Sequence, residues 1–139
     1  MKKYEFLEHT ADAKFRAYGR TLEGAFKNAA LATFAIMTDI TKIKPKIEQV
    51  IEVTSRNKEA LLYDFLAELL FLMDTEGFLL GKVKSLKITH NLTYSLKAVV
   101  LGDNADNYEV FTAIKAVTYN DMFIKEEENK VTIQVVHDL

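Results

Sequence analysis

The stretch KEALLYDFLAELLFLMD, from Lys58 to Asp74, constrains the fold more than any other part of the chain. Leu61, Leu62, Phe65, Leu66, Leu69, Leu70 and Met73 recur at three- and four-residue intervals, the repeat of a helix. They cover more than half of its circumference, so this helix is expected to be the more deeply buried of two. Asn57 is placed to cap its start, and Gly77 lies just beyond its end. Asp64 and Glu68 interrupt the apolar run, which is too short to span a bilayer. The other helical pattern follows Thr21, a suitable N-cap, through Leu22, Ala25, Phe26, Ala29, Ala30, Phe34 and Met37.

The remaining segments read as strands. KYEFLE and AKFRAYG form an opening pair around the turn HTAD, and IEQVIEVT follows the single proline, Pro45. KVKSLKIT and TYSLKAVV are separated by HNL and read as a hairpin, LGDNADN reads as a polar loop, and AIKAVTYNDMFIKE and NKVTIQVVHDL form a final hairpin across EEEN. Long hairpins with two separate helices imply an α+β fold. One domain over residues 1–139 is expected, a largely antiparallel sheet with two main helices packed on it.

The chain has 139 residues, 49% hydrophobic and 27% charged, which suits a soluble globular core. It contains no cysteine, so disulfides, thiolate metal ligands and thiol catalysis are excluded. The formal net charge of −2 carries no global basic footprint for nucleic acid. MKKYEF lacks the apolar region of a signal peptide.

No phosphate-binding loop, GxGxxG, HExxH or GxSxG is present, and the five glycines are scattered. A self-contained enzyme is therefore the weaker expectation. The chemistry concentrates at the two ends, in EHTAD (8–12) and VVHDL (135–139). In the last strand His137 shares a face with Val131, Ile133 and Val135, and Asp138 lies on the other. Asp138 and the α-carboxylate of Leu139 are adjacent hard oxygen donors whose mutual repulsion a divalent cation or a basic group would relieve. With Asp12 they would make an oxygen-donor site for Ca²⁺ or Mg²⁺, if the first and last strands bring their ends together. The residues alone leave the other reading open, with Asp12 in an Asx-turn, Asp138 at a frayed terminus, and His9 capping a turn or bonding Asp12.

EHTADAKFRAYGRTLEGAFKNAALATFAIMTD, LLYDFLAELLFLMD, IKAVTYN and VVHDL, in that order, resemble the signature segments of the archease family over almost the whole chain. The resemblance implies a cytoplasmic accessory protein, not itself an enzyme. Its partner would be an RtcB-type RNA ligase, whose guanylylation with GTP and multiple turnover it promotes in tRNA splicing. Involvement with tRNA would be indirect, and neither DNA nor a membrane is implied. It also implies a divalent cation, Ca²⁺ with Mg²⁺ or Mn²⁺ as alternatives, held by Asp12, Asp138 and Leu139. Lys115, His9 and Asp39 fall at motif positions expected to contact the partner. Lys115 also reads as a solvent-facing strand residue and Asp39 as a turn residue. Asn120 stands where the family often has histidine, and His137 where an apolar or aromatic residue is expected, so neither is assigned a role. A general protein-interaction or chaperone-like module is the alternative function. A metal-dependent hydrolase acting alone is a third reading, disfavoured because no base, nucleophile or second metal set is visible.

Overall fold

The structure, a computed structural model, describes residues 1–8 and 12–139. The elements run β1 (Tyr4–Leu7), β2 (Ala13–Gly19), α1 (Leu22–Met37), β3 (Ile47–Ser55), α2 (Lys58–Glu76), β4 (Phe78–His90), β5 (Tyr94–Asn104), β6 (Ala116–Glu127) and β7 (Lys130–Asp138). The α+β expectation holds, with the strands divided between two antiparallel sheets. One has the order β1-β2-β7-β6 and the other β3-β5-β4.

Both helices begin, and α2 also ends, where the capping chemistry directs. The Thr21 hydroxyl accepts from the Gly24 N–H at 3.1 Å, and the Asn57 amide oxygen accepts from the Ala60 N–H at 2.8 Å. Gly77 closes α2 at φ 69°, a left-handed conformation that glycine adopts without a Cβ penalty. Its N–H donates to the Met73 carbonyl at 2.9 Å.

Two strands are longer than their polar residues suggest. β4 starts directly after Gly77, so Phe78, Leu79 and Leu80 belong to it and are buried. The expected loop LGDNADN is half strand, since Leu101–Asn104 complete β5 and only Ala105–Asn107 form a 3₁₀ turn. Asp103 is tolerated there because its carboxylate accepts from the Tyr108 hydroxyl at 2.7 Å and the Asn104 N–H at 2.8 Å. These bonds hold the Asp103 carboxyl below the usual range. By contrast, β6 begins later than expected, at Ala116.

Each helix touches strands of both sheets: α1 packs on β2 and β4, α2 on β3 and β6. Phe26 of α1 and Phe65 of α2 stack with centroids 6.2 Å apart, both fully buried. Leu61, Leu62, Leu66 and Leu69 are also fully buried, which accounts for the wide apolar stripe of α2.

The centre of the larger sheet is pinned by polar side chains. His137 is fully buried against Phe15, ring centroids 5.6 Å apart. Thr33 of α1 donates its hydroxyl proton to the Ala29 carbonyl at 2.9 Å, so its oxygen is left to accept from His137 Nε2–H, also at 2.9 Å. Nδ1 is then the bare nitrogen, and it has no partner. Burial pushes the imidazole down to about 4, so it is neutral near pH 7. The Gln134 amide joins three strands, accepting from Arg16 Nε at 2.9 Å and donating to the Asp121 carbonyl at 2.8 Å.

Two stability predictions follow from this packing. Phe65→Ala should cost about 3–5 kcal/mol in urea unfolding, whereas Phe71→Ala, at a position 57% exposed on the same helix, should cost less than about 1 kcal/mol. Equal costs would contradict the assignment of the α2 faces. Thr33→Val, which leaves His137 Nε2–H without its acceptor, should lose about 1–3 kcal/mol; an unchanged unfolding midpoint would show that the bond contributes nothing.

Candidate metal centre

The two chain ends meet because β2 and β7 are neighbours. Their ladder runs from Gly19–Val131 to Ala13–His137. One position beyond that last pair, Asp12 precedes β2 and Asp138 ends β7. Antiparallel register therefore sets the two aspartates beside each other at one edge of the sheet. This is the juxtaposition that the sequence required but could not establish.

The third strand at this edge is β6. Ala116 pairs with Asp138, and the Lys115 N–H donates to the Asp138 carbonyl at 2.8 Å. Asp138 is thus held by backbone on its β6 flank, one residue beyond the last β2 pair, while its residue is exposed. Leu139 is half-buried and packs against the core, which keeps the terminal carboxylate next to Asp138. The Asp138 end is an ordered strand and not a frayed tail.

The segment leading into β6 ties this edge to the end of α1. The Phe111 N–H donates to the Met37 carbonyl at 2.7 Å, and the Thr38 hydroxyl donates to the Glu109 carbonyl at 2.7 Å. The Lys115 position is therefore set from both sides, by α1 and by β7. Its side chain is exposed at the same edge as the carboxylates.

The donor chemistry suits a hard divalent cation. Asp12, Asp138 and the Leu139 terminus offer anionic oxygens only, the ligand class of Ca²⁺ and Mg²⁺. Among the described residues no three His, Cys, Asp or Glu side chains cluster to hold a metal. His137 does not join the set, because its ring lies in the core against Phe15 and Thr33.

The other anticipated residues are dispersed. His9 lies outside the described residues. Asp39 caps the 3₁₀ turn Ile40–Lys42, accepting from Thr41 N–H at 3.1 Å and Thr41 Oγ1–H at 2.6 Å, which lowers its carboxyl affinity for protons. It lines a hollow of about 220 Å³ with Tyr108 and Phe111. Asn120 sits in an irregularity that the sequence reading missed. Thr118 pairs with Val136 and Phe123 with Gln134, so four residues, 119–122, stand opposite Val135 alone. Asp121 adopts φ 54° there and pairs with Lys14 at 3.6 Å. No glycine marks this bulge, which left no local signal. The burial of His137 did have a signal, its place on the Val131, Ile133 and Val135 face.

Residues 4–139 match the family model described as Archease protein family (MTH1598/TM1083). Protein archease of Thermococcus kodakarensis is 43% identical, and that of Sulfolobus acidocaldarius 40%, each aligned over 100% of both chains. The solution structure of Methanobacterium thermoautotrophicum protein 1598 superposes with a TM-score of 0.85 at 39% identity, covering 100% of both chains. A Thermotoga maritima crystal structure described as an archease, possible chaperone, shares the fold, with a TM-score of 0.61 at 17% identity over 96% of this chain and 94% of that one. A sequence signature, a full-length family match and a common fold converge, and the chain belongs to the archease family.

Proposed function

We propose that this protein is an accessory activator of an RtcB-type RNA ligase in tRNA splicing. In this reading it promotes guanylylation of the ligase with GTP and sustains multiple turnover. The observation that carries the reading is the strand register, which sets Asp12 and Asp138 at neighbouring strand ends with Leu139 next in the chain and the Lys115 N–H bonded to the Asp138 carbonyl.

These three carboxylates would hold a divalent cation, Ca²⁺ with Mg²⁺ or Mn²⁺ as alternatives. When bound, it supplies positive charge that neutralises the carboxylate cluster and leaves coordination positions for a partner's oxygen ligands. The protein's own contribution is positional. The β2–β7–β6 ladders fix the backbone of Asp138 and Lys115, so that little ordering remains when this edge enters another protein's cleft. Lys115 adds a cation suited to phosphate oxygens. Nucleotidyl transfer responds strongly to such charge and orientation, and the covalent step stays with the ligase.

Exposed Phe6, Phe71 and Phe111 favour a second reading, a protein-interaction or chaperone-like module for RNA-modifying enzymes. The description of the Thermotoga maritima relative as a possible chaperone is of that kind. A chaperone would suppress client aggregation without GTP or cation; an activator would not.

Asp138→Asn and Asp12→Asn should each weaken Ca²⁺ binding in calorimetry about tenfold or more and remove stimulation of GTP-dependent ligase nucleotidylation. Circular dichroism of Asp138→Asn should remain that of the wild type, since Asp138 is exposed. Full stimulation by Asp138→Asn would overturn the role of the carboxylate site, and a folded wild-type protein that gives no stimulation would overturn the proposal.

A further inference from the structure

One face of α2 turns away from the core. Asp64, Glu68, Phe71 and Asp74 follow one another at three- and four-residue spacing along it. Phe71 is 57% exposed, although the same helix fully buries Leu61, Leu62, Phe65, Leu66 and Leu69. The phenyl ring stands as a ridge between two shallow hollows. The hollow toward β3 measures about 470 Å³ and is walled by Val53, Asp64 and Glu68. The hollow toward β6 measures about 270 Å³ and is walled by Tyr63, Asp74 and Lys115. Tyr119, 54% exposed, stacks on Tyr63 at 4.5 Å and extends the apolar rim.

Charge narrows the occupant. Asp64 accepts a bond from Ser55 at 2.6 Å, but among the described residues neither Glu68 nor Asp74 has a salt-bridge partner. Lys115 is the one cation among the described residues that line the two hollows. Carboxylates flanking an exposed phenylalanine repel a phosphate backbone, which disfavours RNA. They attract lysine and arginine. The hollow toward β6 includes Ala116, the register partner of Asp138, so this face adjoins the strand end that carries the carboxylates.

We propose that the outer face of α2 is the docking surface for the ligase partner, which presents an apolar socket to Phe71 and basic side chains to Glu68 and Asp74. This inference rests on the ligase reading above and adds where the partner grips. Phe71 supplies the buried anchor, the two carboxylates steer the approach, and the carboxylate edge is thereby delivered to its target.

The test is the affinity of the full-length protein for a purified RtcB-type ligase, measured by biolayer interferometry at low and high salt. Phe71→Ser should weaken binding about tenfold or more. The double variant Glu68→Lys/Asp74→Lys should weaken it similarly at low salt and lose most of the salt dependence. Thermal unfolding should confirm that both variants fold, since Phe71 and Asp74 are exposed and Glu68 is half-buried at the rim of a hollow. Wild-type binding that both variants retain within about twofold would overturn this surface and leave the ligase reading intact. Failure of the wild type to bind the ligase would overturn both. A wild-type dimer in sedimentation that Phe71→Ser dissolves would assign the face to self-association and overturn the proposal.

Discussion

The pairing of β2 with β7 is the constraint on which the rest of the molecule depends. It joins the beginning of the chain to its end, across a sequence separation of more than a hundred residues, and does so at the centre of the larger sheet. Such a contact closes a very long loop and must be supported by burial. Phe15, Ala17, Ile133 and Val135, all fully buried, supply that support. The polar bonds of Gln134 and His137 then fix which residues face each other, because a slip by one residue would turn His137 and its neighbours to the opposite face.

From this register the placement of the candidate site follows directly. Neither aspartate needs an unusual local structure, since each flanks the last pair of an ordinary ladder. The terminal carboxylate becomes usable because Leu139 is packed. Lys115 joins because β6 pairs with the other side of β7. A candidate cation site is thus made from the ends of strands, with its rigidity borrowed from the core behind it. The neutral, buried His137 behind Asp138 fits that division: its ring belongs to the core and its successor to the site.

Much of this architecture was legible in the sequence because local chemistry declared it. The caps Thr21, Asn57 and Gly77, the period of Leu61 to Met73 and the alternation in the last strand all mark their elements without reference to distant residues. The extension of β5 through Asp103 was hidden because its polarity is satisfied by Tyr108, a tertiary bond that periodicity does not register. The bulge at 119–122 was hidden because Asp121 holds a positive φ that usually calls for glycine. Residue type and family resemblance single out Asp12, Asp138 and Leu139, but only the fold sets the strand ends that carry them side by side. Phe71 falls outside the buried stripe by its spacing, on the face of Asp64, Glu68 and Asp74, but only the fold shows that no other element covers it.

The most direct test of the account is multiple-turnover RNA ligation by an RtcB-type ligase with GTP and Mn²⁺, with this protein at substoichiometric amounts. Product in excess of one turnover per ligase, present with the wild type and lost with Asp138→Asn, is the predicted result. A ligase that is competent alone and gains nothing from the folded wild-type protein would contradict the account at its centre.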